Sequence, residues 1–112
     1  MISEAFEVVV VPFPFIDVAV SKPRPSVVIS ARPFNEANGH TLLAMITTAA
    51  RSRWPSDHLI ADLGLAGLRV TCVVRFKLFT LENRLLDRRI GALGPGDRDA
   101  VTQRLVAMLA QT

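Results

Sequence analysis

Arg24 stands between Pro23 and Pro25, with Lys22 before it and the β-branched run Val27, Val28, Ile29 behind it. Proline fixes φ and biases the preceding residue toward extended backbone, so this guanidinium is held on a stiff segment at the lip of a buried strand. A planar, permanently charged fork in that position suits an oxyanion or a phosphate. Taken alone, an arginine between prolines is an ordinary surface residue in a turn; what changes the reading lies further along. Thr47 and Thr48 close the apolar stretch from Thr41 to Thr47 (TLLAMIT). If a hairpin joins that strand to the one behind Arg24, two hydroxyls and the guanidinium meet at the same strand ends. Such a trio can hold a phosphodiester, the arginine offsetting charge that grows in the transition state and the threonines donating to nonbridging oxygens. With RNA the nucleophile is the substrate's own 2′-hydroxyl. No cofactor or metal is then required, and the sequence has no clustered His, Cys or carboxylate ligands.

The elements that must position this trio are legible in outline. Phe6 to Phe15 (FEVVVVPFPF) predicts a first strand closed by Pro12 and Pro14. A charged loop from Asp17 to Pro25 follows, then a second strand from Ser26 to Ala31. Asn38-Gly39 is the strongest hairpin signal in the chain and predicts a turn into the third strand, antiparallel to the second. Thr48 to Ser56 predicts an exposed loop rich in small residues and arginine. His58 to Leu63 predicts a fourth short strand and Gly64 to Gly67 a turn. Val70 to Thr80 predicts a long fifth strand in which Arg75 and Lys77 share one wet or ligand-facing side. Glu82 to Leu86 reads as one helical turn and Arg89 to Leu93 as a last strand. From Asp97, an N-cap, the pattern is helical, with Val101, Leu105, Met108 and Leu109 on the face toward the sheet. The expected fold is mainly β, a small SH3-like barrel of antiparallel strands with a C-terminal α-helix, and residues 1–112 form one domain.

Composition narrows the function classes. A chain of 112 residues has room for one core, so an extended substrate surface calls for a second copy and a homodimer is expected. The apolar runs are far too short to span a bilayer, so no membrane partner is expected. The N-terminus is acidic and lacks a signal-peptide pattern, which predicts a cytoplasmic protein. The single cysteine, Cys72, lies in an apolar strand run and reads as a buried structural thiol. Net charge is +3, and all basic residues except Lys22 and Lys77 are arginine. That bias permits a nucleic-acid partner without proving one.

Other residues carry competing readings. His40 and His58 have no partner in spacing and read as structural or solvent-exposed. Asp17 is either a turn cap or, if its loop folds inward, a general base. Trp54, beside Arg51 and Arg53, is either a stacking platform for a base or a core plug before Pro55.

The ordered set Val8 to Phe15, Arg24-Pro25 with Val-Val-Ile-Ser behind it, Met45-Ile46-Thr47-Thr48, Trp54-Pro55, and Val73-Val74-Arg75 to Leu81 resembles the MazF/PemK family of toxin endoribonucleases. Any one motif is weak; the order covers nearly the whole chain. The resemblance implies a CcdB-like barrel, a homodimer, and metal-independent cleavage of single-stranded RNA to 2′,3′-cyclic phosphate and 5′-hydroxyl ends. It also implies a cognate antitoxin, a short acidic protein encoded nearby, with any DNA contact made only through that antitoxin. By motif match Arg24 and Thr47 take the family's catalytic positions, with Thr48 adjacent. Asp17, Lys22, Arg51, Arg53, Trp54, Arg75 and Lys77 are the expected RNA contacts. The chain departs from the family pattern at Phe6-Glu7, where many members have Gly-Asp, and at Lys77, where some carry an acidic residue. Phe79-Thr80 stands where Arg-Thr is common, so acid/base partners and sequence preference do not carry over.

Two other classes remain open. The gyrase inhibitor CcdB shares the fold, but its family resemblance implies a Trp-Gly-Ile end, and this chain ends Leu109-Ala110-Gln111-Thr112. The other class is a catalytically weak nucleic-acid- or protein-binding module of the same fold.

Overall fold

In the computed structural model, residues 1–12 and 22–111 are described. Six strands form one antiparallel sheet: β1 (Glu7–Pro12), β2 (Pro23–Val28), β3 (His40–Thr48), β4 (His58–Leu59), β5 (Cys72–Glu82) and β6 (Arg88–Ala92). The spatial order is β4-β5-β3-β2-β1-β6. The sheet curls into a half-barrel, and the C-terminal helix α3 (Pro95–Met108) packs on it. The barrel-plus-helix expectation therefore holds.

Alternation divides the apolar residues between two sides of the sheet. Val8, Val27, Ala44, Ile46, Val74 and Phe76 pack with Val101 of α3. Val9, Val11, Val28, Leu43, Phe79 and Leu86 form a second cluster. Complete burial of Val8, Val9, Val11, Val27, Val28 and Leu43 anchors β1, β2 and β3, the strands that carry Arg24 and Thr47.

The strands start and stop differently from the sequence reading, for identifiable reasons. β2 begins at Pro23 rather than Ser26 because β1 pairs with it as far as Pro12↔Pro23. Its ladder to β3 begins only at Ser26↔Met45. Prolines 23 and 25 therefore occupy a stretch with one strand neighbour, where a missing N–H is tolerated. β4 covers only His58 and Leu59, and Leu63–Ala66 is a helical turn, α2, whose N-cap Asp62 accepts from Leu65 N at 3.0 Å. The third strand, the helical turn at Asn83–Leu85 and the last strand fall within two residues of expectation. The expected continuation of strand one through Phe13 to Phe15 and the loop residue Asp17 lie outside the described residues.

The hairpin turn at Asn38-Gly39 is a correction. Residues Arg32–Asn38 form a helix, α1, and Gly39 ends it at φ 64°, its N–H donating to Asn35 O. A left-handed glycine serves a hairpin turn and a helix C-cap equally well, so the dipeptide alone could not separate them. The antiparallel pairing of β2 and β3 survives the change.

The C-terminal helix is a second correction. Its N-cap is Gly94, and Asp97 lies inside the first turn, buried. Val101 and Leu105 pack on the core, but Met108 and Leu109 are 45% and 59% exposed, so the apolar stripe stops a turn early.

Candidate active site at the ends of β2 and β3

The register between β2 and β3 runs Val28↔Leu43, Val27↔Ala44, Ser26↔Met45. Arg24 lies two residues before Ser26 on β2 and Thr47 two residues beyond Met45 on β3, so both sit at the end where this ladder stops. Both residues, with Thr48 and Arg51, line one cleft of about 220 Å³. Ile46, Leu68, Val70 and Cys72 supply its apolar lining. The guanidinium and the two threonines expected to meet at these strand ends are thus brought together. Arg51 joins them because a 3-10 turn, Ala49–Arg51, follows Thr48 directly.

Arg24 is half-buried, and its Nε has no hydrogen-bond partner although the atom is shielded from solvent. The same is true of Arg75 Nε and of Ser26 Oγ. A buried donor left unmade costs about 1 to 3 kcal/mol, which the fold must offset elsewhere. Three such groups lie close together in the register: Ser26 is two residues from Arg24 on β2 and faces Met45, which in turn faces Arg75. Acceptor-rich anions are the chemistry that satisfies guanidinium and hydroxyl donors of this kind.

The remaining expected RNA contacts are more dispersed. Lys22, Arg51 and Arg53 are exposed and basic, and of these only Arg51 reaches the cleft. The β3–β5 ladder steps from Ala44↔Leu78 to Met45↔Arg75, and Phe76 and Lys77 are the residues accommodated by that step. Arg75 and Lys77 are both half-buried, on either side of the buried Phe76. Arg75 is stacked on Trp54, its Cζ 4.4 Å from the ring centre. Trp54 is 38% exposed, so it is no core plug. Asp17 lies outside the described residues.

Cys72 lines the cleft, but burial pushes its thiol pKa up, so it stays protonated and a poor nucleophile near neutral pH. His58 is turned away to a buried carboxylate: its Nε2 lies 2.7 Å from Asp97 Oδ1. Among the described residues, no group of three or more His, Cys, Asp or Glu side chains is arranged to hold a metal ion. Ser26 and the apolar cleft wall went unread in the sequence. Period-two spacing from Arg24 was the available signal for Ser26; nothing local marks Leu68 or Val70, which reach the cleft only through the fold.

Against protein-family models, residues 4–109 match the PemK-like, MazF-like toxins of type II toxin-antitoxin systems. The chain belongs to this family. Solved structures agree on the fold. The toxin superposes on a MazE-MazF structure from Deinococcus radiodurans with a TM-score of 0.79 at 18% identity, covering 100% of both chains. An endoribonuclease in complex with its cognate antitoxin from a mycobacterial species gives 0.72 at 13% identity, covering 95% of the toxin and 91% of that chain. The Mycobacterium tuberculosis toxin MazF-mt6 gives 0.71 at 19% identity, covering 90% and 93%. No curated protein matches the sequence. No helix among the described residues is long and apolar enough to cross a membrane.

Proposed function

We propose that this toxin is an endoribonuclease that cleaves single-stranded RNA without a metal ion. The substrate's 2′-oxygen attacks the adjacent phosphorus as its proton leaves, the bond from phosphorus to the 5′-oxygen breaks, and that oxygen takes up a proton. The products are a 2′,3′-cyclic phosphate and a 5′-hydroxyl. Arg24 offsets the negative charge that builds on the nonbridging oxygens, and Thr47 and Thr48 donate hydrogen bonds to them. The observation that carries this reading is the placement of Arg24, Thr47 and Thr48 on one cleft. Two similar folds are described as endoribonucleases, which favours the same assignment here.

Lys22, Arg51, Arg53, Arg75 and Lys77 are the residues proposed to hold the RNA backbone, with Trp54 stacked on Arg75. The working form is a cytoplasmic homodimer whose two copies frame the RNA groove. Its partner is an acidic antitoxin segment that covers the same basic surface and so excludes RNA.

Incubating the purified toxin with single-stranded RNA in excess chelator, then determining the chemistry of the new ends, tests the proposal. Cyclic phosphate and 5′-hydroxyl ends support it. Intact RNA contradicts it and leaves a binding module of the same fold; cleavage only when divalent metal is restored contradicts the metal-free mechanism.

A further inference from the structure

Trp54 is fixed on its own turn. Its backbone N–H donates to Asp57 Oδ2 at 3.1 Å, and Asp57 N returns a hydrogen bond to Trp54 O at 3.0 Å. Pro55 stiffens the same turn. The chain then enters β4, whose His58 pairs with Val74, the residue before Arg75. The turn is thereby set against β5, and the Trp54 ring meets the Arg75 guanidinium at 4.4 Å. Stacking holds the planar group without using any of its N–H donors, and Arg75 Nε remains buried without a hydrogen-bond partner.

Arg75 lies opposite Met45, and Met45 opposite Ser26, two residues along β2 from Arg24. From strand spacing and rise, the Arg24 and Arg75 backbones are about 12 Å apart on the same sheet face. A separation of that size leaves room for each guanidinium to take its own phosphate along the strand.

We infer that Trp54 is a positioning residue: it holds Arg75 as a second anchor for the RNA backbone, gripping a phosphate neighbouring the one that Arg24 takes. This rests on the RNA-cleaving reading of the Arg24 cleft. Arg75 contributes to affinity and register, not to the chemical step, and Trp54 acts through it.

Trp54 is the only tryptophan in the chain, which has no tyrosine, so intrinsic fluorescence reports this stack alone. The test compares wild type with Trp54→Ala, Trp54→Phe, Arg75→Ala and the double alanine variant. RNA affinity is measured at several salt concentrations with a single-stranded oligonucleotide blocked by 2′-O-methyl groups, and cleavage kinetics with its unblocked form. Trp54→Ala should raise KM and Kd about tenfold with kcat nearly unchanged, and the salt slope should fall by about 0.7, one phosphate contact. Arg75→Ala should do the same, the double variant no more, and Trp54→Phe, which keeps a ring, should recover most of the affinity. Arg75→Ala should also shift the Trp54 emission. Unchanged affinity and slope in Trp54→Ala, additive losses in the double variant, or a Trp54→Phe as weak as Trp54→Ala would overturn the inference. A wild type that binds the blocked RNA with these dependences but leaves the unblocked form intact would refute the nuclease reading while upholding the anchor. A wild type that binds no RNA would refute both.

Discussion

His58 Nε2 lies 2.7 Å from Asp97 Oδ1 and so joins the two-residue edge strand β4 to the first turn of α3. The same carboxylate accepts N–H groups from Ala61 at 2.9 Å and Asp62 at 3.0 Å. Burial alone would raise the Asp97 pKa, but the two backbone donors, together with the hydrogen bond and charge of His58, outweigh it and bring it below its ordinary value. A short strand that buries little of its own surface is thus tied to α3 by this carboxylate as well as to β5 by its ladder.

Asp97→Ala should therefore cost about 2 to 4 kcal/mol, because it leaves two amide donors and an imidazole donor unmatched. The contribution depends on pH. With the folded pKa below the ordinary 3.8, it is fully present above that value and fades as the pH falls through the folded pKa. Denaturant melts of both proteins from neutral pH downward should show the gap narrowing only below about pH 4. A gap that is constant over that range would contradict the account.

Gly39 and Gly91 should respond very differently to alanine. A Cβ at Gly39 would have open space around it, and only its φ of 64° is unfavourable, so Gly39→Ala should cost about 1 kcal/mol. A Cβ at Gly91 would lie 2.4 Å from Leu65 O and 2.5 Å from the carbonyl carbon of Ala66, backbone atoms that cannot step aside. Gly91→Ala should cost roughly 3 kcal/mol or more by forcing α2 off β6. Equal melting temperatures for the two variants would show that the α2–β6 contact is looser than this.

The parts of the fold that were legible in the sequence are those governed by local pattern. The valine run of β1, the apolar stretch of β3 and the switch to helical spacing near residue 97 each reflect a pattern that burial imposes. Arg24 and Thr47 could be paired in advance because they sit at the same ends of neighbouring antiparallel strands. Features set by tertiary contact were not legible. Gly39 satisfies the same left-handed requirement in a helix cap as in a hairpin. Asp97 looks like an N-cap because its partners, Ala61, Asp62 and His58, are distant in the chain. Arg75 and Lys77 looked equivalent by alternation, but the step in the β3–β5 register falls at Phe76 and Lys77. The Trp54 stack on Arg75 depends on β4 delivering the turn to β5, which no local spacing encodes.

The toxin should sediment at micromolar concentration as a particle of twice its 12.3 kDa chain mass. Leu59 on β4 and Leu65 and Val70 on the segment that follows are all more than half exposed, apolar surface that a second copy could cover. Charge substitutions such as Leu59→Glu or Val70→Glu should shift the equilibrium toward monomer if these residues lie in the interface. A wild type that remains monomeric across the micromolar range would contradict the dimer.

The most direct test of the central claim is the cleavage rate of Arg24 variants that remain folded, measured on single-stranded RNA under single-turnover conditions. Arg24→Lys keeps the charge but loses the planar two-pronged contact, and should slow cleavage by about one to three orders of magnitude, with Arg24→Ala slower still. Thr47→Ala should move the rate in the same direction, and Thr47→Ser, which keeps the hydroxyl, should be milder. RNA affinity should fall far less than rate in all of them, since a single phosphate contact is a small share of binding. If Arg24→Ala cleaves at the wild-type rate, the cleft of Arg24, Thr47 and Thr48 is not where the chemistry occurs, and the likeness to the endoribonucleases is one of fold alone.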